Sequence, residues 1–248
     1  MNTGSMPFVR PAWPAPGAVR AVTTTRAGGV SEGPHAAFNL GQRTADATAN
    51  VTANRARLQQ ILDLPAAPCW LRQVHGIQVV TAAAQPMTAP TADAAVAAQA
   101  GAVCAVLTAD CLPVLFCTDD GAVVAAAHAG WRGLAGGVLE ATVTAMASPA
   151  ARIMAWLGPA IGPRVYEVGP EVRTAFLDQD DRARHAFAPG PGGHWYADLY
   201  RLARQRLYAA GVRAVYGGGL CTYTDAGRFY SYRRDGETGR MASLIWHV

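Results

Sequence analysis

The sequence predicts an α/β protein with mixed rather than wholly parallel sheets. Three observations carry this. Short, β-branched, wholly apolar runs recur through the middle of the chain, as buried strands do. Several are joined by links of about four residues, whereas a parallel crossover takes roughly a dozen or more. Helical patterns interrupt these runs irregularly, unlike the regular alternation of a fully parallel sheet.

In chain order, residues 1–17 contain four prolines and little periodicity, and read as a loose arm. Residues 19–25 read as a strand that runs into a glycine-rich loop at 26–33. Asp46 or Thr48 is positioned to cap a helix ending at Leu62, with Val51, Ala53, Leu58, Ile61 and Leu62 as its apolar positions. Residues 69–74 and 77–81 read as two strands with His75 and Gly76 at a hairpin tip. Residues 102–108, 113–117 and 122–127 read as three buried strands joined by two hairpins, through 109–112 and 118–121. Residues 133–146 read as a helix, and 152–157 as a strand stopped by the rigid GPAIGP turn at 158–163. A helix is expected over 170–177. An amphipathic one follows over 198–210, capped by Asp198, with Leu199, Leu202 and Leu207 as its stripe and Gly211 as its stop. The tail, 212–248, reads as two short strands around a polar loop at 224–240. No Pro/Ser-rich linker or charge block divides the chain, so 18–248 reads as one domain.

Composition narrows the function classes. Of 248 residues 51% are hydrophobic and 15% charged, ample for a large core, with alanine prominent. The net charge of +4 is spread along the chain, arginine far outnumbers lysine, and no basic run is interleaved with aromatics. Nucleic acid is therefore not the expected partner; small anions are compatible with scattered arginines. Five cysteines show neither disulfide-framework nor CxxC spacing. No secretory apolar region and no stretch of 18 apolar residues is present. The expectation is a cytoplasmic protein with reduced thiols, a monomer for want of an interface stripe.

His75, Cys111 and His128 punctuate otherwise apolar runs. Two imidazoles and a thiolate suit a catalytic Zn²⁺ with an open fourth position, where a water's pKa falls to about 7. If the chain rises, turns at Cys111, descends, and rises again to His128, those two groups share a rim of the sheet, one or two strands of about 4.8 Å apart. Local pattern does not fix the rim that His75 approaches. A rival reading needs no metal. There Cys111 is a nucleophile and His128 its base, with Asp110 either orienting the imidazole or serving the turn, in a hydrolase for peptide or cell-wall precursors. A protein that only senses a nucleoside is a third class. A multicopper oxidase is excluded by count, since such a cluster needs on the order of ten imidazoles and the chain has six histidines; a single copper ion could still replace zinc.

The QVHG run at 73–76, ADCLP at 109–113 and HAGWRG at 128–133 resemble the YfiH-like laccase-domain family, also called polyphenol oxidoreductases and purine nucleoside phosphorylases. The resemblance extends from TTRAGGVS at 24–31, through Asn39, Leu40, Asn54, Arg55 and GPAIG at 158–162, to CTYT at 221–224 and FYSYRRD at 229–235. It implies a multilayer α/β sandwich with mixed sheets and a zinc site at His75, Cys111 and His128. It also implies phosphorolysis of purine nucleosides or methylthioadenosine to free base and sugar 1-phosphate, with adenosine deamination as a side activity. Phosphate then needs donors. Arg132, just after the His128 motif and before an expected helix, is the first candidate; Arg26, Arg43 and Arg233 are others. Asn39 and Tyr166 are candidates for the ribose or base.

Overall fold

The computed structural model describes residues 8–83 and 89–248. In chain order the first half holds β1 (Phe8–Val9), β2 (Val19–Thr24), α1 (Thr48–Leu62), β3 (Val79–Thr81), β4 (Ala94–Ala97) and β5 (Cys104–Thr108). Next come β6 (Leu112–Thr118), β7 (Val124–Ala129), α2 (Trp131–Gly136), α3 (Val138–Ala145), β8 (Ile153–Leu157) and β9 (Glu167–Val168). The last part contains α4 (Pro170–Leu177), β10 (Phe187–Pro189), β11 (Trp195–Ala197), α5 (Leu199–Ala209), β12 (Ala214–Gly217), α6 (Tyr232–Asp235) and β13 (Met241–His247).

A six-stranded mixed sheet, in the order β12-β8-β6-β7-β4-β3, packs face to face on an antiparallel four-stranded sheet, β1-β2-β13-β5. Side-chain alternation along the strands makes the layers. In β6 and β7, Leu115, Cys117, Val124 and Ala126 face the smaller sheet, where they meet Cys104, Val106 and Ile245. Their neighbours Val114, Phe116, Ala125 and Ala127 face the other way, onto Leu134, Leu139 and Leu207 of the helices α2, α3 and α5. On the far side of the small sheet, Val22, Ala105 and Leu244 pack against Leu58 of α1 and against Phe38 and Leu40. The result is a helix–sheet–sheet–helix sandwich. A third sheet, β10-β11-β9, is a small antiparallel appendage. With both faces of the large sheet covered, its strands read as continuous apolar runs. The alanines of β4 and β7 let the sheets approach closely.

Several local expectations are corrected. Strands β5 and β6 are not a hairpin: β5 pairs with β13 in the small sheet, and β6 with β7 and β8 in the large one. Residues 109–111 carry the chain from one sheet to the other, with Asp110 at a φ of 90°. The β6–β7 hairpin does form, and Pro113 lies opposite His128. Residues 69–81 are not a hairpin either; Cys69 and Arg72 make single bridges to Cys104 and Thr91, while β3 runs parallel to β4. The expected helix at 133–146 is two, parted at Gly137, whose φ of 104° no regular helix accommodates. Helix α1 is capped by neither Asp46 nor Thr48; its N-cap is Ala47, and the Asp46 carboxylate instead accepts from Ser31, Asn39 and Asn50. Of the expected loose arm, residues 1–7 lie outside the described residues, β1 pairs with β2, and Trp13 and Ala15 pack on the core.

Ala126 is fully buried between the sheets, opposite Ala95 and Leu115. Ala126→Leu is expected to cost about 1–3 kcal/mol of unfolding free energy by overpacking, visible as a lower urea midpoint with an unchanged slope.

Candidate metal centre

The mouth between the two sheets gathers His75, Cys111 and His128. Their ligating atoms all lie within 4.8 Å of one another, with His75 exposed, Cys111 half-buried and His128 buried. His128 continues the row of Val124 and Ala126 that faces the small sheet, so it emerges where the sandwich opens. Cys111 ends the link between the sheets, one residue before β6. The rings of His75 and His128 meet edge to face at 4.8 Å between centroids.

One buried carboxylate holds this arrangement. Asp93, immediately before β4, is fully buried. Its Oδ1 accepts from the backbone N–H of His75 at 2.9 Å and is 2.8 Å from His128 Nδ1. Its Oδ2 accepts from the N–H groups of Val74 at 3.1 Å and Gly76 at 2.7 Å. Its backbone carbonyl accepts from His128 N–H at 2.7 Å. The carboxylate thereby wraps the 74–76 loop around itself, stabilising a left-handed His75 (φ 60°), and pins the imidazole of His128 with Nε2 turned to the cluster. A carboxylate on the far nitrogen of a ligating histidine fixes tautomer and ring direction, as metal sites require. The Gln73 side chain closes the other end of the loop, exchanging two 2.8 Å hydrogen bonds with the backbone of Leu107 in β5.

Glycines make room. A Cβ on Gly130 would stand 2.7 Å from His75 Nδ1 and 3.0 Å from Cys111 Sγ, and one on Gly133 would stand 2.9 Å from the Gly76 carbonyl. The glycines of the HAGWRG run are thus explained by packing around the ligands.

The charges of the cluster are coupled. Burial pulls the His128 pKa down, but the Cys111 and Asp93 charges, with hydrogen bonds to both, outweigh it and raise it to about 9. Asp93 would be raised by burial, yet its hydrogen bonds to His128, Gly76 and Val74 hold it below the ordinary carboxylate range. Desolvation lowers His75, assisted by His128 and Arg132. Soft thiolate and imidazole donors converging on a glycine-cleared point fit a zinc-type ion.

The other sequence candidates divide. Tyr166 is half-buried and close enough to Cys111, Arg233, Asp110 and Arg132 to feel their charges; burial and the Cys111 charge push its phenol up, so it stays a neutral donor. The Arg233 guanidinium lies 5.3 Å from the Tyr166 ring centre and donates to the Glu167 carbonyl. Arg132 is exposed, stacked on Trp131 at 4.3 Å, and near enough to His75 to depress it. Arg43 reaches the Gln73 carbonyl at 3.3 Å, beside the His75 loop. Two candidates belong instead to the scaffold. Arg26 binds the carbonyls of Ala36 and Ala226. The Asn39 amide is used up by Gly41, Thr44, Asp46 and the Arg240 N–H, leaving nothing for a ribose. Asp110 does not orient His128; its carboxylate accepts from Thr222 Oγ1 and Arg233 N–H, both at 2.6 Å. Sequence reasoning missed Asp93, though a single acid inside an alanine-rich buried run was the available signal.

A cavity of about 630 Å³ lies behind the 158–162 segment, around Cys221, Tyr200 and Thr224. That segment separates it from the triad, because Ile161 N–H bonds the Asp110 carbonyl while Gly162 N–H faces Cys221. It contains no histidine, whereas the donors that could hold a metal converge at the sheet mouth, which is therefore the candidate site.

Residues 20–248 match the family described as multi-copper polyphenol oxidoreductase laccase. The chain belongs to this family. Within it, the chain is 54% identical over 240 residues to a Pseudomonas aeruginosa protein named purine nucleoside phosphorylase, covering 96% of this chain and 98% of the relative. It is 53% identical over 241 residues to Escherichia coli purine nucleoside phosphorylase YfiH, covering 97% and 99%. A Neisseria meningitidis crystal structure superposes with a TM-score of 0.95 at 50% identity, covering 98% and 99%. The crystal structure of YlmD from Geobacillus stearothermophilus gives 0.89 at 30% identity. Despite the family's multi-copper description, the described residues of this laccase-family chain bring together one three-donor group.

Asp93→Asn is expected to weaken metal affinity by roughly 10–100-fold, as loss of a ligand-orienting carboxylate does, measured by chelator competition. Gly130→Ala should cut metal content while leaving the far-UV circular dichroism spectrum unchanged.

Proposed function

We propose that this chain is a zinc-dependent purine nucleoside phosphorylase, converting a purine nucleoside and inorganic phosphate to free base and pentose 1-phosphate. The observation that carries the reading is identity above half, across nearly the full length of both chains, to proteins named for that activity. The donor set at the sheet mouth supports it. Copper is the substitute the same donors would accept.

In the reaction a phosphate oxygen bonds to the anomeric carbon, the bond from that carbon to the purine nitrogen breaks, and the base leaves with the electron pair and takes up a proton. Zinc held by His75, Cys111 and His128 would supply Lewis-acid polarisation of a substrate oxygen. The chain's own groups do the rest. Arg132, Arg233 and Arg43 ring the triad with positive charge, and guanidinium forks match phosphate oxygens in pairs. Tyr166, kept protonated, donates a hydrogen bond to phosphate or sugar. Asp93 keeps His128 in one orientation throughout turnover. A metal with this donor set also suits hydrolytic loss of the purine amine, which makes adenosine the informative substrate. A metal-free Cys–His hydrolase leaves His75 unexplained and gains no support from the named relatives.

No helix among the described residues is long and apolar enough to cross a membrane. All five cysteines are free, which suits the reducing cytoplasm. We take the working unit as a monomer whose partners are the nucleoside and phosphate.

Purified protein given adenosine is expected to release adenine only when phosphate is present, resolved by chromatography; inosine formed regardless of phosphate would make deamination the main chemistry. Cys111→Ala should lose bound zinc and lower kcat/KM by about 100-fold or more, in line with loss of a group that acts in the transition state. Full turnover with full zinc content in that variant would overturn the three-ligand site.

A further inference from the structure

Arg240 lies one residue before β13. The pair Met241 and Thr108 is the last of the β13–β5 ladder, so Arg240 stands opposite the start of the 109–111 link that delivers Cys111. Its backbone is fixed on both sides: the N–H donates to Asn39 Oδ1 at 2.9 Å, and the carbonyl accepts from Leu40 N–H at 3.2 Å. Its stem lies against Gly41, where a Cβ would come within 2.7 Å of Arg240 Cγ. The guanidinium sits 5.9 Å from the Tyr232 ring centre, and its Nη1 donates to the carbonyls of Thr238 and Gly239 at 2.8 and 2.9 Å.

Two of the five guanidinium N–H groups are thereby used, both on Nη1. Among the described residues no acceptor meets Nε or Nη2, and no carboxylate pairs with Arg240. The nearby Asp110 is already engaged by Thr222 and Arg233. Partial burial lowers the Arg240 pKa against the pull of Cys111 and Asp110, both near enough to act on it. The guanidinium is half-buried while its Nε/Nη2 edge stays accessible, since neither atom is among the buried, unpartnered ones, and that edge has the fork geometry that binds two phosphate oxygens. By contrast Arg132, Arg43 and Arg233 are exposed, and no bond to a backbone carbonyl or carboxylate holds Arg132 among the described residues.

We propose that Arg240 binds the attacking inorganic phosphate through its Nε/Nη2 edge and holds it beside Cys111, with the exposed arginines forming the outer rim. The assignment rests on the phosphorolysis reading. It gives the Asn39 network and Gly41 a purpose, since both fix the backbone and stem from which the fork projects.

The test uses metal-loaded full-length protein, with Arg240→Met to keep the stem and remove the fork, and Arg240→Lys to keep the charge. Inorganic phosphate is varied at saturating nucleoside, and nucleoside at saturating phosphate. In parallel, melting temperatures are recorded with and without phosphate. Arg240→Met is expected to raise the phosphate KM about tenfold or more, the loss of a charge-assisted pair. Its nucleoside KM and zinc content should stay within about twofold, the scatter expected of a substitution away from that ligand. The phosphate-induced rise in melting temperature should disappear. Arg240→Lys should fall between the two proteins; if the Met variant does not fold, a raised phosphate KM in the Lys variant alone supports the assignment. An unchanged phosphate KM, or phosphate and nucleoside KM rising together, overturns it. Absence of phosphate-dependent base release in the unaltered protein would instead overturn phosphorolysis itself. The melting-temperature comparison would then still decide whether Arg240 binds the anion.

Discussion

Both histidines of the candidate metal centre depend on one buried carboxylate. Asp93 has four lone-pair directions and uses all four, three on the consecutive N–H groups of residues 74–76 and one on His128. A carboxylate so deeply buried is tolerated only because each direction is satisfied. The saturation makes the site stiff. The loop carrying His75 has no regular secondary structure of its own, and the anion that shapes it also orients His128. Two candidate ligands from distant parts of the chain are thus referred to a single point, at the start of β4, next to the edge strand of the larger sheet.

The sandwich supplies the rest of the constraint. Alanine-rich β4 and β7 bring the sheets close, and the chain crosses from β5 to β6 at the rim that holds the site. Cys111 sits at that crossing. Asp110, beside it, ties the crossing to Thr222 and Arg233, so segments from near the end of the sequence stand next to the thiol.

Much of this was legible in the sequence, for definite reasons. The helix at 170–177 and the capped helix after Asp198 announce themselves through local chemistry, and both stand as expected. Cys111 and His128 were expected on one rim, and they share it. The reason differs in part, because β6 and β7 form the hairpin but β5 belongs to the other sheet. Short links signal a reversal of direction without saying whether the partner strand lies beside or across, since that choice is made by β13 from the far end of the chain. Asp93 was visible only as an interruption in an apolar run. Its role comes from N–H groups nearly twenty residues away and a ring 35 residues away, and no local pattern records such contacts. Asn39 shows the converse: a polar residue in a family motif can be wholly occupied by the scaffold.

The placement of β13 bears on how the molecule assembles. This strand slots between β2 and β5, pairing with residues more than 200 and more than 130 positions earlier. Contacts of such sequence separation are slow to close, because the loop entropy is lost before the pairing energy is gained. During synthesis the small sheet stands with a gap at its centre until the final strand arrives, and its unpaired edges are exposed meanwhile. Arg240 immediately precedes that strand and Arg233 sits just upstream. The Arg233 and Arg240 side of the mouth is consequently the last part of the site to form, so a complete site belongs only to chains whose final strand has been zipped into place.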